Sequence, residues 1–254
     1  MSRIFRRWLC VVSIATLALA LNPTEASGGR DGVGVVGEAI IAGDSGYAQS
    51  AAVATPGCAD FAYALKPWHL PANYRWYYNP ANAPAAIAST ALAAITASSK
   101  TVASGYNRCG SVPNLPTKQQ YMGTTRTLAQ VGANGDCNGN DGRSTISWGT
   151  LPSSYLAYTC VYYQVSSGQV LSADVLIDNK AHQWFTTRPV NCVNAYDLGS
   201  VMTHERGHTA GLEHVDRGTS AAQTMSPQNL PCDTSKLLLG AGDLAGLRHV
   251  YHVG

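Results

Sequence analysis

The chain is poor in charge. Of 254 residues only 13% are Asp, Glu, Lys or Arg, and 17 bases against 15 acids leave a formal net charge of +2. Such a balance supplies no basic field, so neither nucleic acid nor an acidic membrane is an expected partner. No C-x-x-C pair occurs among the seven cysteines, so the usual thiolate zinc and dithiol redox motifs are missing. No internal repeat is evident, which excludes a solenoid. The apolar run from Trp8 to Leu21 falls short of the roughly 20 residues a spanning helix needs. A hydrophobic content of 45% then favours a folded core over disorder.

What is present first concerns export. Arg3, Arg6 and Arg7 precede the Trp8–Leu21 run, and a polar, Pro-containing stretch with small residues follows. Residues 1–26 read as a secretory signal peptide cut near Ala20 or Ala26, with a retained anchor as the alternative. Its removal takes the net charge to zero and leaves six cysteines, Cys58, Cys109, Cys137, Cys160, Cys192 and Cys232. An even set in an oxidising compartment implies three disulfides with fifteen possible pairings. Cys192 with Cys232 is preferred, because the two bracket the histidine-rich segment. Residues 27–57 are Gly- and Ala-rich without a sustained period, and three readings stay open for them: propeptide, N-terminal extension or flexible lead. A single catalytic domain is expected over 58–254.

Within that domain "YRWYYNP" (74–80) reads as a strand. Asn82 and Pro84 are start signals for an Ala-rich helix whose stripe is Ile87, Ala91, Ile95, Ser98 and Val102. Between Arg126 and Phe185, "STISWGTL", "YLAYTCVYYQV" and "VLSADVLIDN" read as strands. Asp136, Asn138, Asn140 and Asp141 cluster like the start of a calcium loop, but the glycine comes one place late and Ser147 stands where the twelfth-position glutamate belongs. A tight turn is the better reading, and Ca2+ is possible but unsupported. Asp197 stands as an N-cap before the next helix, and Asp243 as the cap of a closing helix with Leu244, Leu247 and Tyr251 on one face. His249 and His252 read as surface residues, and His69 and His182, which have no partner in sequence, read the same way.

The informative segment is "VMTHERGHTAGLEHVD", Val201 to Asp216. On a helix, His204 and His208 are one turn apart on one face, close enough to bind one ion. Glu205 lies beside the ion. Gly211 can adopt a backbone conformation closed to other residues, which lets the chain turn sharply and return His214 to the same point. Three neutral imidazoles leave one corner of a tetrahedral zinc site open, the arrangement of a catalytic centre. Scrambling this composition yields H-E-x-x-H-x-x-G-x-x-H with a probability on the order of 1 in 100,000. Glu213 has no required role and reads as an exposed carboxylate.

The segment His204 to His214, with Met225 eleven residues on in "SAAQTMSPQ", resembles the metzincin metallopeptidases. Within them the chain is most similar to a small, secreted, bacterial, matrixin-like enzyme, over about 72–254. The resemblance implies an α+β (α/β metzincin-type) fold. It comprises a twisted, mainly parallel sheet with an antiparallel edge strand, two long helices including the zinc helix, and a small irregular C-terminal subdomain ending in a helix. It implies one catalytic Zn2+ held by His204, His208 and His214, with Glu205 as general base and Met225 as an apolar floor that does not bind the metal. It implies an endopeptidase of loose side-chain selectivity, secreted and monomeric, which binds polypeptide substrates along an edge strand near Leu171 to Ile177.

Several positions depart from the pattern. No tyrosine follows Met225 closely, and Val215 and Asp216 follow His214 where matrixins carry serine. Arg206 occupies a position usually apolar in that family. "NRCGSVP" around Cys109 is similar to the matrixin cysteine switch, yet the strand and helix that should open the domain precede it, so Cys109 is expected in a disulfide. Two other functions remain in view: a secreted zinc-containing binding or adhesion module without turnover, and a zinc hydrolase of a non-peptide bond.

Overall fold

The computed structural model describes residues 32–43 and 57–253. The expected leader 1–26, with Cys10, lies outside the described residues, as does most of 27–57. In chain order the elements are β1 (Val33–Ala42), β2 (Ala64–Leu65), β3 (Asn73–Tyr78), α1 (Ala91–Ser104), β4 (Lys118–Thr124), β5 (Thr145–Gly149), β6 (Tyr155–Gln164) and β7 (Val170–Asp178). After them come β8 (Gln183–Phe185), β9 (Ala195–Asp197), α2 (Leu198–Thr209), β10 (Leu212–Glu213), α3 (Arg217–Ser220), β11 (Gln228–Asn229) and α4 (Ala241–Val250).

The fold is mixed α/β. Seven strands form one sheet in the order β11-β1-β6-β7-β5-β3-β4. The pairs β3/β4, β3/β5, β5/β7 and β1/β11 are parallel, while β6 runs antiparallel to both neighbours. Every residue of β7 except Leu171 is buried, as befits a central strand covered on both faces. The strand expected at the edge near Leu171 to Ile177 is therefore interior. The antiparallel strand is β6, and it is not an edge either, because β1 pairs along it from Val33 to Ile41. That pairing comes from a segment whose Val/Ile run is interrupted by Gly34, Gly37 and Glu38, which hides its strand character from a period count.

Helices α1 and α2 pack against each other, with α2 also on β6 and β7. The expected stripe of Ile87, Ala91, Ile95, Ser98 and Val102 is buried. The helix itself opens at Ala91 rather than near Pro84: the intervening residues form tight turns, with Ile87 N–H donating to Pro84 O and Thr90 N–H to Ile87 O. Ser98 Oγ donates to Gly199 O at 2.8 Å, a contact only small residues permit between two helices. The core joins Trp68, Trp76, Trp148, Ile146, Leu156 and Ile177 to Leu198 and Met202 of α2. After α2 the elements are short, ending in α4. Its N-cap is Gly240, and Asp243 sits three residues inside, reaching back to the Gly240 N–H.

Three disulfides bond Cys58 to Cys109, Cys137 to Cys160 and Cys192 to Cys232. The last is the preferred pair, and Cys109 is bridged as expected. Asn140 and Asp141 form tight turns in which their side chains accept from the N–H groups of Gly142 and Arg143. No helix among the described residues is long and apolar enough to cross a membrane.

Candidate metal centre

Helix α2 starts where Asp197 caps it, its carboxylate accepting from the Ser200 N–H at 2.7 Å and from the Ser200 hydroxyl. All twelve of its residues are buried. At its end Gly211 has φ +102° and lies against the Trp68 carbonyl with no room for a Cβ, so only glycine fits this turn. Trp68 Nε1 donates to the His208 carbonyl at 2.9 Å, and β10 pairs with β2. These contacts fix where the chain re-emerges and set His214 opposite the helix.

The three predicted histidines converge. Their Nε2 atoms form a triangle with sides of 2.9, 3.0 and 3.1 Å. His204 Nδ1 lies 2.8 Å from the Thr224 carbonyl and His208 Nδ1 3.0 Å from the Leu212 carbonyl. A carbonyl only accepts, so each Nδ1 carries the proton and each Nε2 presents a lone pair. His214 Nδ1 faces carboxylates, 3.7 Å from Glu38 and 3.9 Å from Glu213. Three lone pairs about 3 Å apart repel unless a cation lies between them, and acceptors behind metal-binding imidazoles are the usual orienting partners. The cluster is of the kind that could hold a metal ion. Burial pulls His204 well below the usual histidine range and His208 and His214 down to about 3, with neighbouring histidines adding to the effect at His204 and His214. All three are thus neutral, the form that ligates metal.

Glu205 is fully buried next to the triangle. Burial pushes its carboxyl up to about 8, against a hydrogen bond from Thr159 and the Ile40 backbone N–H, both of which favour the charged form. Thr159 Oγ1 donates to Oε2, whereas Oε1 has no hydrogen bond of ordinary geometry. Met225 lies against Gly207, where an added Cβ would run into its sulfur. Asp243 fixes its turn by accepting from the N–H groups of Thr224 and Met225, and Val215 N–H donates to the Met225 carbonyl.

Around His214 lies a second group of residues that no motif announces. Lys66 Nζ bridges Glu38 and Glu213. Burial alone would lower its pKa, but the two carboxylates outweigh burial and raise it. Glu213, expected as an exposed carboxylate, is half-buried, ion-paired, and accepts from its neighbour's N–H through Oε1 at 2.7 Å. Glu38, Glu213 and His214 could also gather around a metal, but the Lys66 ammonium already supplies the cation there. The sequence holds only four glutamates, and the placement of Glu38 alone in an apolar run was its one available signal. Thr159 and Lys66 carry none.

Arg206 is also fully buried. Its Nε donates to Ser99 Oγ at 3.0 Å, and its guanidinium stacks 4.7 Å from the Trp76 ring centroid and 5.9 Å from that of Tyr74. Cation–π contact thus accounts for arginine at a position that resembled an apolar one. Its two terminal nitrogens lack hydrogen bonds of good geometry and, among the described residues, no carboxylate pairs with it. Burial lowers its pKa, with Tyr74 opposing. The remaining histidines stay apart: His69 bonds to backbone carbonyls, His182 packs edge-on to Tyr196, and His249 and His252 are exposed.

No family model and no curated protein matches this chain.

Proposed function

We propose that the protein is a secreted, zinc-dependent endopeptidase of the metzincin type, acting as a monomer on polypeptides. The observation that carries this reading is the triangle of unprotonated His204, His208 and His214 Nε2 atoms with the Glu205 carboxyl beside it. Three protein ligands suit a catalytic zinc site better than a closed structural one. When bound, zinc supplies Lewis acidity to the scissile carbonyl and to water.

The chain's own groups do the rest. Thr159 holds Glu205 Oε2 and leaves Oε1 free to take a proton from water and hand it to the departing amine. Burial raises the carboxyl above its ordinary range, which makes its ionised form a stronger base, and positioned transfer of this kind is worth about 100- to 10,000-fold in rate. Met225 packs on the helix turn that carries the first two ligands and keeps it from shifting. Secretion is supported by three disulfides, which persist in oxidising compartments. Nucleic acid and stable membrane attachment have no place in this reading.

The test is casein or gelatin digestion by the zinc-loaded protein and by Glu205→Ala, with zinc content measured in both. Cleavage by the wild type, reduced at least a hundredfold in the variant at equal zinc content, is expected. Zinc without cleavage in either would favour a binding module, and turnover of esters alone a different hydrolase. Protein that holds no transition metal would overturn the reading.

A further inference from the structure

We propose that β1 is the protein's own first substrate, and that the Ala39–Ile40 peptide bond is the one its active site hydrolyses. This rests on the peptidase reading above and names the substrate that fits.

β1 enters the sheet as an extended peptide. It lies antiparallel to β6 and parallel to β11, with Ile41 N–H donating to Pro227 O and Gly43 N–H to Asn229 O. A polypeptide that binds by strand addition uses the same main-chain bonds. The strand also crosses the catalytic residues. Side chains alternate along a strand, so Glu38 and Ile40 point to one face, and both are buried. Glu38 reaches to 3.7 Å from His214 Nδ1. Glu38 is register partner to Thr159, the residue that holds Glu205. Through Glu38 and Thr159 the strand thus meets both His214 and Glu205, and the Ala39–Ile40 bond is the next but one along it. Two cavities of about 530 and 520 Å3 lie elsewhere on the surface, and no catalytic residue lines either.

In the reaction the bond between the Ala39 carbonyl carbon and the Ile40 nitrogen breaks. Hydroxide from one water goes to Ala39, and the water's other proton passes through Glu205 to Ile40, which becomes a new amino terminus. The product acid on Ala39 ionises to solvent. Until this happens β6 is paired and an incoming peptide has no strand to add to. The same contacts define the preferred external substrate: an extended peptide with an acidic residue two places before the cut, matched by Lys66, a small residue before it and a buried aliphatic one after it.

The experiment uses the full chain, prepared metal-free and then loaded with zinc, with intact mass, N-terminal sequencing and casein digestion followed on one sample. A chain beginning at Ile40 is expected, formed at a rate independent of protein concentration and not formed by Glu205→Ala. Lys66→Ala should slow the cut about tenfold, the scale of losing one well-placed charge partner. A binding readout needs no turnover: a fluorescent peptide of residues 33–42 should bind the metal-free full chain carrying Ile40→Asp and Glu205→Ala, and not the chain carrying Glu205→Ala alone. Circular dichroism and slow exchange of the α2 amides report that the double variant is folded, and Gly37→Pro replaces Ile40→Asp if it is not. Casein cleavage with residues 33–42 intact, or a cut at another bond, overturns the inference and leaves the peptidase reading standing. Loss of both activities overturns both. Peptide binding to the two variants alike overturns the occupancy of the groove.

Discussion

Asp243 holds Met225: one oxygen of its buried carboxylate accepts from the Met225 N–H at 3.1 Å, while the other takes the N–H groups of Thr224 and Gly240. One side chain thus caps α4 and fixes the turn whose Thr224 carbonyl orients His204.

Asp243→Ala would strand three buried backbone donors, each worth about 1–3 kcal/mol. Unfolding in urea should show a loss of about 3–5 kcal/mol. Zinc affinity, read by competition with a chromogenic chelator, should fall by about 10- to 100-fold because the partner of His204 is displaced.

Arg206 carries charge in the core, and among the described residues no carboxylate pairs with it. Replacing a buried ionic group with an apolar one of similar volume is often neutral or stabilising by about 1–4 kcal/mol. Arg206→Met should therefore equal or exceed the wild type in urea midpoint. Arg206→Ala should lose stability, since it removes the packing on Trp76 and leaves a cavity.

Burial pushes Asp174 from its ordinary 3.8 up to about 7, against the Thr145 N–H that its Oδ1 accepts. A folded-state pKa above the unfolded one means the folded protein binds more protons between the two values. The contribution is whole below pH 4 and is lost as pH rises through 7. Asp174→Asn mimics the protonated carboxyl. It should reduce the drop in unfolding free energy between pH 5 and pH 8 by about 2 kcal/mol, measured by denaturant titration at each pH.

Metal binding to the folded state alone adds stability by mass action, about 2.7 kcal/mol at a free zinc concentration 100 times Kd. Adding zinc to metal-free protein should raise the melting temperature by a few degrees, and EDTA should reverse it. His208→Ala should abolish the shift while leaving the disulfides formed.

The site was legible where its chemistry is local. His204, His208 and His214 occupy eleven consecutive residues, so helix pitch and one glycine bring them together without knowledge of the sheet. The cap at Asp197 and the buried stripe of α1 follow in the same way from short-range periodicity. Thr159, Lys66 and Glu38 could not be found so, because each reaches the site across the sheet or from another segment, 46 residues from Glu205 in the case of Thr159. The edge of the sheet was misplaced for the same reason: strand order depends on long-range pairing, and a Gly-rich run without alternation gave no sign that it would cover β6. Asp243 reads from sequence as the cap of α4, where Gly240 is the N-cap and Asp243 lies three residues inside, and its reach to Thr224 and Met225 needed the folded turn.

All three disulfides join residues from Cys58 onward, and β1 is attached to that cross-linked body only by main-chain and side-chain contacts and by the chain leading into Cys58. Among the described residues, those upstream of a break within β1 thus have no disulfide tie to that body and can leave it, whereas the downstream stub remains tethered beside β11. Detachment is in that sense one-way: rejoining would require a bimolecular encounter at ordinary dilution, where before it was secured by a loop of the same molecule.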